Sequence, residues 1–264
     1  MLILPVDHSS QHAGHYYGAH ARSPTPSETK ATGGSHPAVD FSSLSFGSLN
    51  PIRERIAADL VALSANREAA METLKLGPRL ADEVTANAAL LESPTMPALE
   101  RYTGVLYDAL SPSDLPETGR ARLAIGSALF GVIGGDDLIP HYRLSGTVKL
   151  PFADQPADAA PTMKRRWGTA ITEALNDVDF LIDLRSGTYA NLGKVKSATT
   201  MTVLTAEGKI VSHFNKHYKG LFARAIALSD TTPTSPTEAV DIARAAGYDV
   251  SLDDDTLIFR VPEN

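Results

Sequence analysis

The chain has 264 residues, of which 43% are hydrophobic, and its mean hydropathy is -0.10. This apolar content is enough for a substantial core and excludes an intrinsically disordered protein, and no apolar run approaches the roughly 20 residues that span a bilayer. The opening MLILP is too short for a signal-peptide core, and the lack of cysteine excludes disulfides and thiolate chemistry. We therefore expect a cytoplasmic protein with no membrane partner and no cofactor.

The charge of the chain is unevenly distributed. The formal net charge of -7 argues against a general nucleic-acid coat protein. From Tyr142 to Arg224, however, 12 Lys and Arg residues stand against 7 Asp and Glu residues, a local excess of +5, while the remainder of the chain carries -12. This distribution allows a basic surface on an acidic protein, and scattered, solvated charge is the alternative.

Residues 6–25 are predicted to be a flexible loop or insertion, because they are polar and have neither helical nor strand periodicity. Four of the eight histidines lie there: His8, His12, His15 and His20. Neutral imidazoles bind divalent metals, so an iron-handling role is one hypothesis. Only Asp7 accompanies them as a carboxylate, and a flexible loop loses much entropy when it closes on an ion. We therefore predict no metal site.

The first half of the chain is predicted to be largely helical. Asn50 is an N-cap candidate and Pro51 suits the first helical position, and the apolar stripe that follows extends to Leu63. Similar spacing predicts three more helices, over 67–74, 78–91 and 99–110. Leu80, Val84, Ala88 and Leu91 form the expected apolar stripe of the second of these three helices.

The second half mixes strands and helices. Residues 123–135 form a near-continuous apolar run that is expected to be buried, either as strand or as helix. Strands are predicted over 146–151 and 179–184, a hairpin over 200–214, and a final pair of strands over 248–262. Helices are predicted over 167–178 and 215–228, and a capping box at Ser235 begins one that Gly247 ends. This order indicates an α+β fold, a single mixed α/β domain over residues 1–264.

The sequence lacks the common signatures of catalysis. It contains no phosphate-binding loop that ends in Gly-Lys-Ser/Thr, no dinucleotide fingerprint and no two-His zinc helix. Asp136 and Asp137 are candidates for a metal site or a general base. Because adjacent side chains usually point apart, we expect them to cap the next segment instead.

Several stretches together resemble the YaaA family, the peroxide stress proteins of bacteria. The most specific is SALFGVIGGDDLIPHYRL, and MLILP, PSETKATGG, KLGPRLADEV, YTGVLYDAL, RWGTAITEALN, DLRSGTY and KHYKGLFAR follow the family's order. The resemblance implies a single mixed α/β unit of unusual topology that binds double-stranded DNA through a basic cleft and a helix-hairpin-helix element. It also implies protection against hydrogen peroxide, without a firmly attached catalytic activity. In the family MLILP runs directly into the PSETK segment, so the histidine-rich residues between them are an insertion here.

The stretch LKLGPRLADEV carries the proposed helix-hairpin-helix element. Leu76, Gly77, Ala81 and Val84 have the spacing of that element. Gly77 is expected to let the backbone turn and approach a phosphate, and amides at the start of the second helix favour an anion. Lys75 replaces the hairpin's usual earlier glycine. A plain helical hairpin is the alternative interpretation.

The predicted DNA contacts are backbone amides and cations in the blocks that match the family. They are Lys30, Lys75, Gly77, Arg79, Arg143, Lys194, Lys196, Lys216, Lys219 and Arg224. A solvated basic face is the alternative for the last three, and Tyr142 and Tyr189 are expected either to stack on bases or to pack. Phosphate contacts carry no base information, so we expect little sequence preference and steep salt dependence. No protein partner is indicated.

A second hypothesis is an enzyme that acts on a nucleotide or a nucleic acid. It is built around the PSETK loop, the Asp136–Asp137 pair and Arg143, because so many small polar and charged residues lie in the blocks that match the family. No serine has a sequence-evident His and Asp partner set, which leaves this hypothesis without a defined mechanism.

Overall fold

A computed structural model of the chain describes residues 1–5, 29–155, 160–212 and 214–261. The predicted flexible insertion over 6–25 lies outside the described residues. Among the described residues no helix is long and apolar enough to cross a bilayer.

The first half is helical, as predicted from its periodicity. The α-helices here are α1 (Asn50–Ser64), α2 (Arg67–Thr73), α3 (Ala81–Ala88), α4 (Ala98–Arg101), α5 (Val105–Leu110) and α6 (Glu117–Arg120). Short 3-10 turns lie at Phe41–Ser43, Gly47–Leu49, Pro78–Leu80 and Pro112–Asp114. The predicted helix over 99–110 is two helices, because Tyr102 has an extended backbone that ends α4 and Gly104 has a φ of 105° immediately before α5.

The strands form one mixed sheet of seven strands and one antiparallel pair. They are β1 (Leu2–Ile3), β2 (Thr95–Pro97), β3 (Leu123–Ser127), β4 (Gly131–Gly134), β5 (Leu138–Pro140), β6 (Ile182–Asp183), β7 (Thr199–Leu204), β8 (Asp249–Asp253) and β9 (Thr256–Arg260). The order in the large sheet is β4-β3-β1-β6-β7-β9-β8, and β2 pairs with β5. β6, β7 and β9 are parallel to one another, and β1 is antiparallel to both of its neighbours. The apolar run over 123–135 is therefore a buried hairpin.

The helices of the second half cover the sheet. They are α7 (Met163–Trp167), α8 (Ala170–Asn176), α9 (Gly187–Ala190), α10 (Asn215–Leu228) and α11 (Pro236–Ala245). The helix predicted over 167–178 is divided at Gly168, whose φ is 54°. The predicted cap at Ser235 is confirmed, because its Oγ accepts from the Glu238 backbone N–H at 3.3 Å. The Glu238 carboxylate accepts from the Thr234 N–H at 2.7 Å, one residue before the N-cap.

Two strand predictions were wrong. Residues 146–151 form no strand, only an isolated bridge between Lys149 and Thr162. The hairpin over 200–214 has only its first arm, β7, and the second arm is reduced to a bridge between Leu204 and Ile210. Ile210 is 73% exposed, and only Val211 of this arm packs against the core among the described residues.

One continuous apolar core packs against the large sheet, in which most residues of β1, β3 and β4 are buried, whereas β7 and β9 bury only alternate residues. It runs from Leu2 and Ile3 in β1 to Phe259 in β9. Trp167 is 1% exposed and donates its indole N–H to the Ala128 carbonyl at 2.9 Å. This hydrogen bond joins the end of α7 to the residue that follows β3.

Candidate functional site

The turn between α2 and α3 has a hydrogen-bond pattern that closes the end of a helix. The Leu76 N–H donates to the Met71 carbonyl at 2.9 Å, and the Lys75 N–H donates to the Glu72 carbonyl at 3.1 Å. This is a Schellman motif, in which the residue at the Lys75 position is usually a left-handed glycine. Lys75 has a φ of 55°, so a lysine takes the backbone conformation that favours glycine.

Gly77 does not have the expected role in turning the chain. Its φ is -74° and its ψ is 165°, which any residue adopts. A Cβ at this position would meet no atom within 4 Å. Among the described residues, neither the Gly77 nor the Arg79 backbone N–H has a backbone acceptor. The backbone is therefore open at Gly77, while the turn itself depends on Lys75.

Helix α3 is anchored to the segment that carries Arg143. Asn87 is fully buried, and its side chain accepts from the Arg143 N–H at 2.7 Å and donates to the Arg143 carbonyl at 2.9 Å. The predicted apolar stripe placed Ala88 and Leu91 on the buried face of this helix, but both are exposed. Asn87 is buried instead because its amide satisfies both backbone groups of Arg143.

A second contact of α3 lies one turn earlier. Glu83 Oε2 and His141 Nε2 are 2.9 Å apart. The hydrogen bond from His141 holds the pKa of Glu83 below its usual range, and the charges of Arg143 and Lys30 act in the same direction, while burial opposes them. Glu83 therefore stays ionised beside two of the predicted DNA-binding cations.

Lys75 and Arg143 line the same small pocket, which has a volume of about 180 Å³. Ser145 and Thr147 line it too, and their hydroxyls are 3.0 Å apart. The pocket therefore combines two cations with hydroxyl groups beside the α2–α3 turn. These are the donor groups that bind phosphate oxygens.

Lys30 lies above two tyrosine rings. Its Nζ is 4.0 Å from the centroid of Tyr142 and 5.0 Å from that of Tyr102. Buried Arg101 holds this segment by donating to the Ala31 carbonyl at 2.6 Å. Tyr142 is only 1% exposed, and its hydroxyl is 2.6 Å from that of Tyr102. The expectation that Tyr142 stacks either on bases or within the protein is thus resolved as packing.

Lys216 and Lys219 line a larger cleft of about 580 Å³. They lie on the first turns of α10, with α5 and the segment after β6 on the other sides. Lys219 Nζ donates to the Leu184 carbonyl at 3.3 Å. Burial lowers the pKa of Lys219, and the nearby Asp183 carboxylate opposes this shift.

Sequence analysis did not identify Arg185 as a residue of this cleft. Its guanidinium forms a two-pronged ion pair with Asp183, with N–O distances of 2.9 and 2.8 Å, and donates to the Gly193 carbonyl at 2.8 Å. A Cβ at Gly126 would lie 2.7 Å from Arg185 Cδ. The opposite charges two residues apart in the sequence DLR were the available signal for this ion pair. That pattern does not indicate that both side chains are buried.

Four other predicted cations line neither of these two pockets. Lys194 and Lys196 are exposed on the segment between α9 and β7, and Arg79 is exposed beside the turn. Arg224 is tied to the end of α5, because its Nη1 donates to the carbonyls of Leu110 and Ser111 at 3.0 and 3.2 Å. The structure thus groups four of the predicted cations in two pockets.

The acidic side chains point apart, as expected, but neither caps the next segment. Asp137 accepts from the Ser45 N–H and hydroxyl, at 3.0 and 2.9 Å, and from the Gly134 N–H at 2.9 Å. Asp136 points away to form an ion pair with Arg120. Over the described ranges no cluster of three His, Asp or Glu residues is placed to hold a metal ion. The four histidines of the predicted insertion lie outside those ranges.

The chain is similar to one protein family along most of its length. The sequence profile of the family described as "Peroxide stress protein YaaA" matches residues 25–253. A UPF0246 protein of Corynebacterium glutamicum (strain R) is 54% identical over 227 residues, which cover 84% of this chain and 91% of that protein. A UPF0246 protein of Corynebacterium efficiens is 52% identical over 234 residues, covering 87% and 94%. One of Streptomyces coelicolor is 37% identical over 242 residues, covering 86% and 90%.

Proposed function

Because this chain belongs to the YaaA family of peroxide stress proteins, we propose that it acts in the response to peroxide as a DNA-binding protein. The proposed contact is with the phosphate backbone of duplex or distorted DNA, so we expect little sequence preference. Helices α2 and α3 with the turn between them are the proposed helix-hairpin-helix element.

One observation supports this proposal most directly. Lys75 and Arg143, which are far apart in the sequence, line one pocket beside the α2–α3 turn. The Gly77 backbone is exposed and has open space around it. The proposed phosphate contacts are these two cations and the amides at the start of the second helical segment, where the helix dipole also favours an anion.

The experiment measures binding of a labelled DNA duplex by fluorescence anisotropy at rising salt. The variants are Lys75→Gly and Arg143→Gln, alone and together. We expect each to weaken binding to all sequences alike, and to lower the slope of log affinity against log salt by about 0.9 for each phosphate that the variant no longer neutralises. Lys75→Gly also removes the strain of a lysine in the left-handed conformation, which should stabilise the fold by about 1 kcal/mol. If this variant does not bind DNA, the loss is therefore due to the missing charge and not to unfolding.

Lys164→Ala, at an exposed lysine on α7, is the matched control and is expected to bind like the wild type. If Lys75→Gly and Arg143→Gln both bind DNA as the wild type does, the proposed contact is wrong. The link to peroxide is tested in cells that lack the protein. Survival in hydrogen peroxide should return with the wild type and not with the double variant.

A further inference from the structure

The cleft beside α10 lies at the ends of three neighbouring strands of the large sheet. Because β1 is antiparallel to both β3 and β6, the carboxyl ends of β3 and β6 meet the amino end of β1 at this edge. Met1, Gly126 and Leu184, which lie at or beside these three ends, line the cleft. Ligands of open α/β sheets bind outside the carboxyl ends of strands. The volume of about 580 Å³ is typical of a site for a small molecule.

One wall of the cleft is positively charged. Lys216 and Lys219 are three positions apart on α10, so their side chains lie on one face of the helix. Neither forms an ion pair with any described residue. The backbone N–H groups of Asn215 and Lys216, at the start of this 14-residue helix, have no described backbone acceptor. Both the lysines and these amides favour an anion.

No carboxylate counters this charge among the described residues that line the cleft, although the chain as a whole carries -7. The Asp183 carboxylate, whose charge also acts on Lys219, is held by Arg185 in the two-pronged ion pair. The charges of Asp183 and Arg185 therefore largely cancel. The two lysines are left as the net charge that a ligand meets.

Another part of the lining is aromatic and apolar. Tyr102 and Tyr107 are stacked, with ring centroids 5.8 Å apart and an interplanar angle of 16°. Tyr189 and Leu106 complete this wall. Asn215 Oδ1 is buried at the charged end and has no hydrogen-bond partner among the described residues, an arrangement that is costly unless another group donates to it.

We propose that this cleft binds a small aromatic oxyanion, a phosphate or carboxylate attached to a planar ring. The oxyanion lies between Lys216, Lys219 and the first amides of α10, and the ring packs on the tyrosine wall. This site is separate from the proposed DNA contact at the α2–α3 turn and does not depend on it.

Isothermal titration calorimetry on the full chain tests the proposal with four probes. Phenyl phosphate and benzoate carry both the ring and the charge, inorganic phosphate carries only the charge, and phenol only the ring. We expect at least one aromatic anion to bind saturably and on the order of tenfold more tightly than either reference probe. Whichever of phenyl phosphate and benzoate binds more tightly identifies the preferred anionic group as phosphate or carboxylate. Equal binding of inorganic phosphate or of phenol, or no saturable binding of either aromatic anion, overturns the proposal.

Two kinds of variant locate the site. Lys216→Met combined with Lys219→Met removes the charge, and Gly187→Leu adds a bulky side chain at a lining residue of the cleft where a Cβ meets no atom within 4 Å. Both are expected to weaken the aromatic anion on the order of tenfold or more, and the exposed Lys209→Met control is expected to bind normally. Should the lysine variant fail to fold, Gly187→Leu still decides the question. Wild-type affinity in Gly187→Leu overturns the proposed location.

A competition experiment separates this site from the DNA surface. The Lys75→Gly, Arg143→Gln double variant is expected to bind the aromatic anion as the wild type does, whether or not the wild type binds DNA. A DNA duplex should not displace the anion from the wild type. Displacement by the duplex would mean that the cleft belongs to the DNA surface, and would overturn the proposal of a small-molecule site.

Discussion

Gly77 offers a test at the scale of a single residue. The Gly77→Ala variant adds one Cβ in open space at an ordinary φ of -74°. Stability should therefore stay unchanged or rise by up to about 1 kcal/mol, because alanine restricts the unfolded chain. If the Gly77 backbone lies against a phosphate, the same methyl group should weaken binding to a DNA duplex. Thermal unfolding and fluorescence anisotropy measure the two effects. Unchanged stability with unchanged DNA affinity would place the phosphate elsewhere.

The sequence was sufficient to identify Lys75 and Arg143 as candidates but not to explain how they meet. Their proximity depends on Asn87, a buried polar residue that clamps the Arg143 backbone and that an apolar-stripe argument passes over. Arg185 was missed for a related reason. Its burial depends on Gly126, which is distant in the sequence and leaves room for the Arg185 side chain, and on the Gly193 carbonyl eight residues further on.

At the scale of elements, long periodic segments were predictable and short ones were not. Helices α1 and α10 begin and end close to the predicted positions, because each has an apolar stripe over several turns. The predicted helices over 99–110 and 167–178 were divided by Gly104 and Gly168, whose positive φ angles depend on the surroundings. Local pattern alone does not contain that information.

The turn between β6 and α9 allows a prediction of pH dependence. Burial opposes ionisation of Asp183, but the hydrogen bonds and charge of Arg185 outweigh it and hold the pKa of Asp183 below its usual value of 3.8. A carboxyl group with a depressed folded-state pKa stabilises the fold above its unfolded pKa, and this contribution is lost as pH falls through the folded pKa. The window therefore lies below about pH 4.

Asp183→Asn should therefore lower the free energy of unfolding at neutral pH, because it leaves buried Arg185 without its counter-charge. The difference from the wild type should shrink as the pH falls below about 4. Denaturant titrations of both proteins at several pH values measure this difference. The other carboxyl groups are the same in both proteins, so their pH effects cancel in the difference. A difference that stays constant down to pH 2 would contradict the assignment. Asp249→Asn, at an exposed residue of β8, is the control and should show no such trend.

For the whole molecule, β1 is the strand that joins two parts of the sheet. It lies between the β4-β3 pair and the β6-β7-β9-β8 group. Ile3 is opposite Leu123 on one side and Ile182 on the other, so this short strand gathers segments that are far apart in the sequence. If β1 couples both parts, they should unfold together. The predicted single domain would then be a single cooperative unit.

Two probes and one substitution test this coupling. Trp167 is the single tryptophan and packs beside the β3–β4 hairpin, while far-UV circular dichroism reports on helices over the whole fold. The two denaturant transitions should coincide. Ile3→Ala should cost about 2–5 kcal/mol, because Ile3 is 1% exposed, and should shift both transitions equally. Leu252→Ala, on edge strand β8 where Leu252 is 39% exposed, should shift both much less. Separate transitions in Ile3→Ala would mean that the two parts of the sheet fold independently and that β1 only lies between them.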